Sequence, residues 1–138
     1  PSGIGAPYFR NDISIRFSRP VEHLTQSQVA SLLLEAVIFR VARIIEDFHR
    51  ISPVERVYLS GGLSGLPCLQ QGIALCVPFA VYRLEQAESS LRGAALLAAG
   101  MAQAYNRESR RVEIVGNAEA LQGKYRRWKK WLDGLLDS

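Results

Sequence analysis

Two hydrophobic periods divide this chain. Between residues 24 and 50, Val29, Leu33, Val37, Val41, Ile44 and Phe48 recur at three- and four-residue spacing, and Leu34, Ile38 and Ile45 widen the stripe. That pattern predicts a long helix whose broad apolar face is mostly buried. Thr25 is placed as its N-cap and Gln28 completes a capping box, with Leu24 and Val29 set for a hydrophobic staple. Pro53 marks its end from beyond the C-terminus. A second helix is predicted over 65–77, with Pro67 tolerated in the first turn and Pro78 as the stop. A third, over 89–105, is rich in Ala and Leu, and its Gly93, Ala94 and Ala95 form a small-residue face suited to close packing. The last, over 118–136, carries Leu121, Tyr125, Trp128, Leu132 and Leu135 on one stripe.

Strand signals fall between these helices. Ile13, Ser14, Ile15, Arg16 and Phe17 alternate as a half-buried strand does, and short runs over 54–60, 79–84 and 108–115 read as strands. Helices standing between strands argue for an α/β fold with at least one parallel crossover. A small sheet flanked by four helices looks like part of something larger.

Composition narrows the class. At 138 residues the chain suits one domain, and 48% apolar with 22% charged residues is ordinary for a globular protein. No apolar run reaches the ~18 residues of a membrane span. No secretory leader opens the chain, so a cytoplasmic location is expected; Pro1 in place of Met suggests a processed or partial chain. Cys68 and Cys76 lie on one predicted helix, ~12 Å apart along its axis, too far for a disulfide between them. Two free buried thiols are expected, with no Cys/His cluster to suggest zinc. The formal charge of +4 is uneven: from Asn106 onward there are eight Lys/Arg against five Asp/Glu, and before it nine against eight. A nucleic-acid field over the whole surface is therefore not expected.

The chemistry concentrates at one turn. Val57, Tyr58 and Leu59 run into Ser60, Gly61, Gly62, Leu63, Ser64, Gly65, Leu66 and Pro67, so a buried strand hands the chain to a helix through glycine. Glycines there let backbone N–H groups approach a ligand, and the following helix aims the positive end of its dipole at the same place. A phosphate-bearing ligand suits that arrangement; so does a plain strand–helix turn that needs glycine only for its backbone angles. Neither a Gly-x-Ser-x-Gly elbow nor a Gly-x-x-x-x-Gly-Lys phosphate loop is present. Glu35, Glu46 and Asp47 read as a solvated helix face, His23 and His49 lack a neighbouring nucleophile, and Glu85 and Glu88 suit the start of the Ala-rich helix. The basic–aromatic tail from Lys124 to Trp131 could suit RNA, but Tyr125 and Trp128 share the leucine stripe, which favours a docking helix with a wet basic face.

Five separated stretches resemble one family. Gly3-Ile4-Gly5-Ala6-Pro7-Tyr8-Phe9, Leu33-Leu34-Glu35-Ala36-Val37-Ile38-Phe39-Arg40, Leu59-Ser60-Gly61-Gly62-Leu63-Ser64, Glu88-Ser89-Ser90-Leu91-Arg92-Gly93-Ala94-Ala95 and Tyr125-Arg126-Arg127-Trp128 are similar, in order, to the C-terminal part of the FGGY carbohydrate kinases. That group includes glycerol, xylulose and gluconate kinases. The resemblance implies a partial C-terminal, ribonuclease-H-like domain of the actin/hexokinase/Hsp70 type over residues 1–138, with the N-terminal sugar-binding domain lying outside them. It implies transfer of the ATP γ-phosphoryl group, with Mg2+, to a sugar or polyol hydroxyl. Gly61 and Gly62 would contact the nucleotide, and Ser64 and Leu66 would line the same edge. Leu66 stands where glycerol kinases commonly carry Asn, and Arg92 where Leu is more usual. The family's catalytic Asp precedes the matched stretch, so the chain alone is expected to be inactive, with no catalytic residue or metal ligand of its own. Expected partners are ATP or ADP, a sugar or polyol bound mainly by the missing domain, and a second copy through exposed apolar surface. Neither nucleic acid nor membrane is expected. A non-catalytic binding or regulatory module of the same fold is the alternative.

Overall fold

The computed structural model describes residues 3–5, 7–85, 88–101 and 108–137. Helix α1 (Gln26–Ile51) begins with the expected capping box: Thr25 Oγ1 accepts from the N–H of Gln28 at 3.3 Å, and Gln28 Oε1 accepts from the N–H of Thr25 at 2.9 Å. Strand β1 (Arg56–Leu59) leads through a 3₁₀ turn (Gly62–Gly65) into α2 (Pro67–Cys76), and Pro67 takes the first helical position, where its missing N–H has no partner to lose. Strand β2 (Ala80–Leu84), α3 (Ser89–Ala98), β3 (Ser109–Arg111) and α4 (Ala118–Leu136) complete the order.

The three strands are ordered β1-β2-β3. β1 and β2 are parallel, with Tyr58 opposite Tyr82, and α2 forms the crossover between them; β3 pairs antiparallel on the far side, Arg111 opposite Tyr82. Val57, Leu59 and Val81 pack into a core with Ile38, Phe39 and Ala42 of α1, Ile73 of α2 and Tyr125 of α4. Gly72 lets α1 and α2 cross closely: a Cβ there would stand 3.0 Å from Ile38 Cγ1 and 3.1 Å from Cγ2. The α4 stripe docks as expected, with Tyr125 and Leu132 buried and the Phe39 and Tyr125 rings 5.4 Å apart.

Several sequence expectations are corrected. Residues 13–17 form no strand among the described residues, because no second strand pairs with them. Ile13 is buried while Ile15 is exposed, and the nearest pairing is an isolated bridge between Ile4 and Arg10. The buried face of α1 runs through Ile38, Phe39 and Ala42, with Leu34, Val41 and Ile45 packed against it as expected, whereas Leu33, Val37 and Phe48 of the expected stripe are exposed. Helix α3 ends at Ala98 rather than residue 105, of which 102–105 lie outside the described residues, and it buries none of its side chains. A Cβ at Gly93 would meet no described atom within 4 Å, so the expected close packing is not made at that position among the described residues. β3 covers only three of the residues expected over 108–115. Cys76 is buried but Cys68 is exposed. The α1 acids are not simply solvated. Glu35 pairs with Lys124 at 2.6 Å, Glu46 with Lys129 at 3.0 Å, and Asp47 with Arg43 at 3.1 Å, and Arg43 also reaches Asp133 at 2.9 Å. The pairs made by Lys124, Lys129 and Asp133 sew α4 to α1.

Candidate functional site

Parallel pairing of β1 and β2 brings the carboxyl ends of both strands to one edge, since Leu59 stands opposite Arg83. Ligands of open α/β sheets bind outside such an edge. The turn after β1 lies there, as does the approach to α3 after β2.

Gly61 has φ +91° and ψ 172°, a region open in practice only to glycine. This conformation ends the strand and starts the 3₁₀ turn. The carbonyl of Gly61 then accepts twice from Ser64, from its N–H at 3.0 Å and its hydroxyl at 2.6 Å. Ser64 is buried, and its own carbonyl accepts from Gln70 Nε2 at 2.6 Å. The turn is thus braced from inside by one serine and by a glutamine of the next helix. Its outer side stays open. The N–H groups of Gly61, Gly62 and Leu63 donate to no described group, and a Cβ at Gly61, Gly62 or Gly65 would meet nothing within 4 Å. Leu66 occupies the N-cap of α2 without a side-chain cap bond, and its side chain is exposed, as is that of Leu63. Backbone donors and the uncapped start of a helix therefore face an unfilled space, an arrangement suited to anionic oxygens.

Of the four residues singled out from sequence, Gly61, Gly62 and Leu66 lie on this open side. Ser64 is turned inward, with its hydroxyl engaged by Gly61. Gln70 was not foreseen. Its spacing from Ser64 carries no signal that survives without coordinates, because a glutamine on a half-buried helix is unremarkable by pattern. Glu88 stands at the N-cap of α3 but makes no side-chain cap bond. His49 has a structural place: Nδ1 accepts from the N–H of Val54 at 3.0 Å, and the ring packs on Phe79.

Two upward shifts lie elsewhere, in the core. Burial, with the Glu46 carboxylate adding to it, raises Tyr125 well above the usual phenol range and pushes Cys76 up to about 11. Neither group faces the turn. Among the described residues no group of three or more His, Cys, Asp or Glu converges as a metal site, and no described helix is long and apolar enough to cross a membrane.

A βαβ crossover with a backbone-lined turn at its carboxyl edge defines a ligand-binding type of α/β domain. The model of the FGGY family of carbohydrate kinases, C-terminal domain, matches residues 2–102, and the chain belongs to that family. Its fold is accordingly that family's ribonuclease-H-like C-terminal domain. The match contains β1, the turn, α2, β2 and α3 and stops before β3. Two relatives extend over nearly the whole chain. A protein of Streptomyces avermitilis named glycerol kinase 1 is 30% identical over 136 residues, which is 97% of this chain and 25% of that protein. One of Streptomyces coelicolor named glycerol kinase 2 is 30% identical over 132 residues, 94% of this chain and 24% of that protein. The chain thus spans about a quarter of the length of these relatives.

Proposed function

We propose that this chain supplies the C-terminal wall of the ATP site of a sugar or polyol kinase, within a longer polypeptide whose other domain holds the carbohydrate. The observation that carries the reading is the turn at Gly61 and Gly62. It has a glycine-only backbone angle, unshared N–H groups and clear space where a side chain would stand. The family and the names of the two relatives support a carbohydrate kinase parent.

The chain's own part is binding and positioning. The backbone of Gly61 and Gly62 approaches the nucleotide, α2 directs its positive end to the phosphates, and Ser64 and Gln70 hold the turn in shape. Bound Mg-ATP supplies the γ-phosphoryl group and the metal that offsets its charge. The base that activates the carbohydrate hydroxyl, most sugar contacts and any metal ligands belong to residues outside this chain. In this reading the chain by itself transfers no phosphoryl group, and the parent works in the cytoplasm. Leu66 favours a second reading, a non-catalytic nucleotide-binding module, because its exposed side chain offers the ligand no polar contact.

Amide hydrogen exchange on the full-length protein tests the assignment. Adding ATP should slow exchange across residues 60–66, and adding carbohydrate alone should not. Exchange unchanged by ATP in that segment, with ATP bound, would place the nucleotide elsewhere. Bound ATP that slows exchange there without turnover of any polyol would favour the module.

A further inference from the structure

Past β3 the chain leaves the sheet and returns to α2. Val112 still donates to the carbonyl of Val81 at 2.9 Å and packs against the core. The next three residues, Glu113 to Val115, are held by one side chain of α2. Gln71 Nε2 donates to the carbonyl of Glu113, and Gln71 Oε1 accepts from the N–H of Val115 at 3.0 Å. A primary amide carries a donor and an acceptor side by side, so it pairs with both ends of this stretch as a neighbouring strand would.

Gln71 stands between two residues that hold α2 in other directions. Gln70 donates to the carbonyl of Ser64 at 2.6 Å, and Gly72 admits Ile38 of α1. Successive residues of a helix lie about 100° apart around its axis. Three consecutive residues therefore direct α2 at three different elements: the turn, the 113–115 segment and α1. These contacts differ in kind. Packing of Gly72 on Ile38 fixes where the helices cross, but apolar contact is not directional and resists a roll of α2 about its axis weakly. Two hydrogen bonds from one planar amide are directional and set that angle. Gln122 Nε2 also donates to α2, to the carbonyl of Leu75 at 2.9 Å, but at the far, C-terminal end of the helix. The turn is tied to α2 through Gln70 and runs into it at Pro67, so a roll of the helix swings the N–H groups of Gly61 and Gly62.

We infer that Gln71 is a positioning residue for the nucleotide turn: by clamping Glu113 and Val115 it fixes the roll of α2, and with it the direction in which the Gly61 and Gly62 N–H groups point. It acts through α2, Gln70 and Ser64 rather than on the ligand itself. Both of its bonds stay within the chain and require no free surface. The role rests on the reading of the turn as a wall of the ATP site.

The test is calorimetric titration of ATP into the full-length protein, with amide hydrogen exchange on the same variants. Gln71→Ala should weaken ATP binding about fivefold or more, and should speed exchange at Val115 and across 60–66 before nucleotide is added. Gln122→Ala, which frees a carbonyl at the other end of α2, should lower Tm yet leave ATP affinity within about twofold of wild type. A Gln71 with a structural role alone would give a lower Tm with wild-type ATP affinity. Where Gln71→Ala does not fold, Gln71→Glu carries the same expectation, since it keeps the acceptor for Val115 and loses the donor to Glu113. With ATP slowing exchange across 60–66 in the wild type, undiminished ATP affinity in a folded Gln71 variant would overturn the inference, as would equal ATP losses in the Gln71 and Gln122 variants. If bound ATP leaves that segment unchanged in the wild type, the nucleotide-wall reading falls and the role of Gln71 falls with it.

Discussion

Ser64 Oγ donates to the carbonyl of Gly61 at 2.6 Å, across the turn that both residues were expected to offer to a ligand. The pair divides the work of that turn. Gly61 supplies the backbone angle, and Ser64, buried beneath it, fixes the angle from the protein side. Removing the hydroxyl leaves the Gly61 carbonyl with the Ser64 N–H as donor, so no acceptor is stranded. Ser64→Ala should cost about 1 kcal/mol in urea unfolding and weaken ATP binding while carbohydrate affinity holds. A variant with wild-type ATP affinity would remove Ser64 from the account.

The two glycines should separate under substitution. Gly61→Ala forces a side chain into a glycine-only conformation and should destabilise by about 1–3 kcal/mol, read as a shift in denaturation midpoint. Gly62 has no positive φ and clear space beyond its Cα, so Gly62→Ala should leave the midpoint within about 1 kcal/mol of wild type. Equal destabilisation by both would mean that Gly62 is also held by its backbone.

Gly72 is a packing residue. A methyl group there meets the side chain of Ile38 at the α1–α2 crossing, so Gly72→Ala should cost about 1–3 kcal/mol. In combination with Ile38→Ala the two losses should be less than additive, which a double-mutant cycle measures. Full additivity would show that the two helices do not meet through this pair.

Alkaline pH should loosen the core at a defined place. Cys76 titrates from about 9.0 when unfolded to about 11 when folded, because burial disfavours the thiolate. A raised folded value gives stability that is complete below the unfolded value and is lost as pH rises through the folded one. Unfolding free energy should therefore fall between pH 9 and about 11, and Cys76→Ala should flatten that slope whatever it does to stability at neutral pH. An unchanged slope would assign the alkaline loss to other groups, Tyr125 first.

Much of this was legible in the chain. Periodicity and capping residues place α1, α2 and α4, and Thr25 with Gln28 forms the box that their spacing announces. The strand–Gly-Gly–helix order marks the turn, because glycine is required where φ is positive. What failed depends on neighbours that local pattern does not contain. Residues 13–17 alternate like a strand yet find no partner edge. The α1 stripe has the right period but is too broad on one side: Ile38, with Leu34, Val41 and Ile45, reaches the core where α2 crosses and Gly72 admits it, while Leu33 and Val37 stay exposed. The small residues of α3 would suit close packing, but none of its residues is fully buried and a Cβ at Gly93 would meet no described atom within 4 Å. Ser64 was placed in the right turn and on the wrong side of it, because the direction of a side chain within a 3₁₀ turn follows from coordinates alone.

Gly62→Val in the full-length protein is the most direct trial of the nucleotide-wall reading. Its side chain would fill the clear space over the turn without disturbing described neighbours. Calorimetric titration should show ATP affinity reduced about tenfold or more, with carbohydrate affinity and Tm close to wild type. Equal losses for both ligands, or undiminished ATP binding in a folded variant, would contradict it.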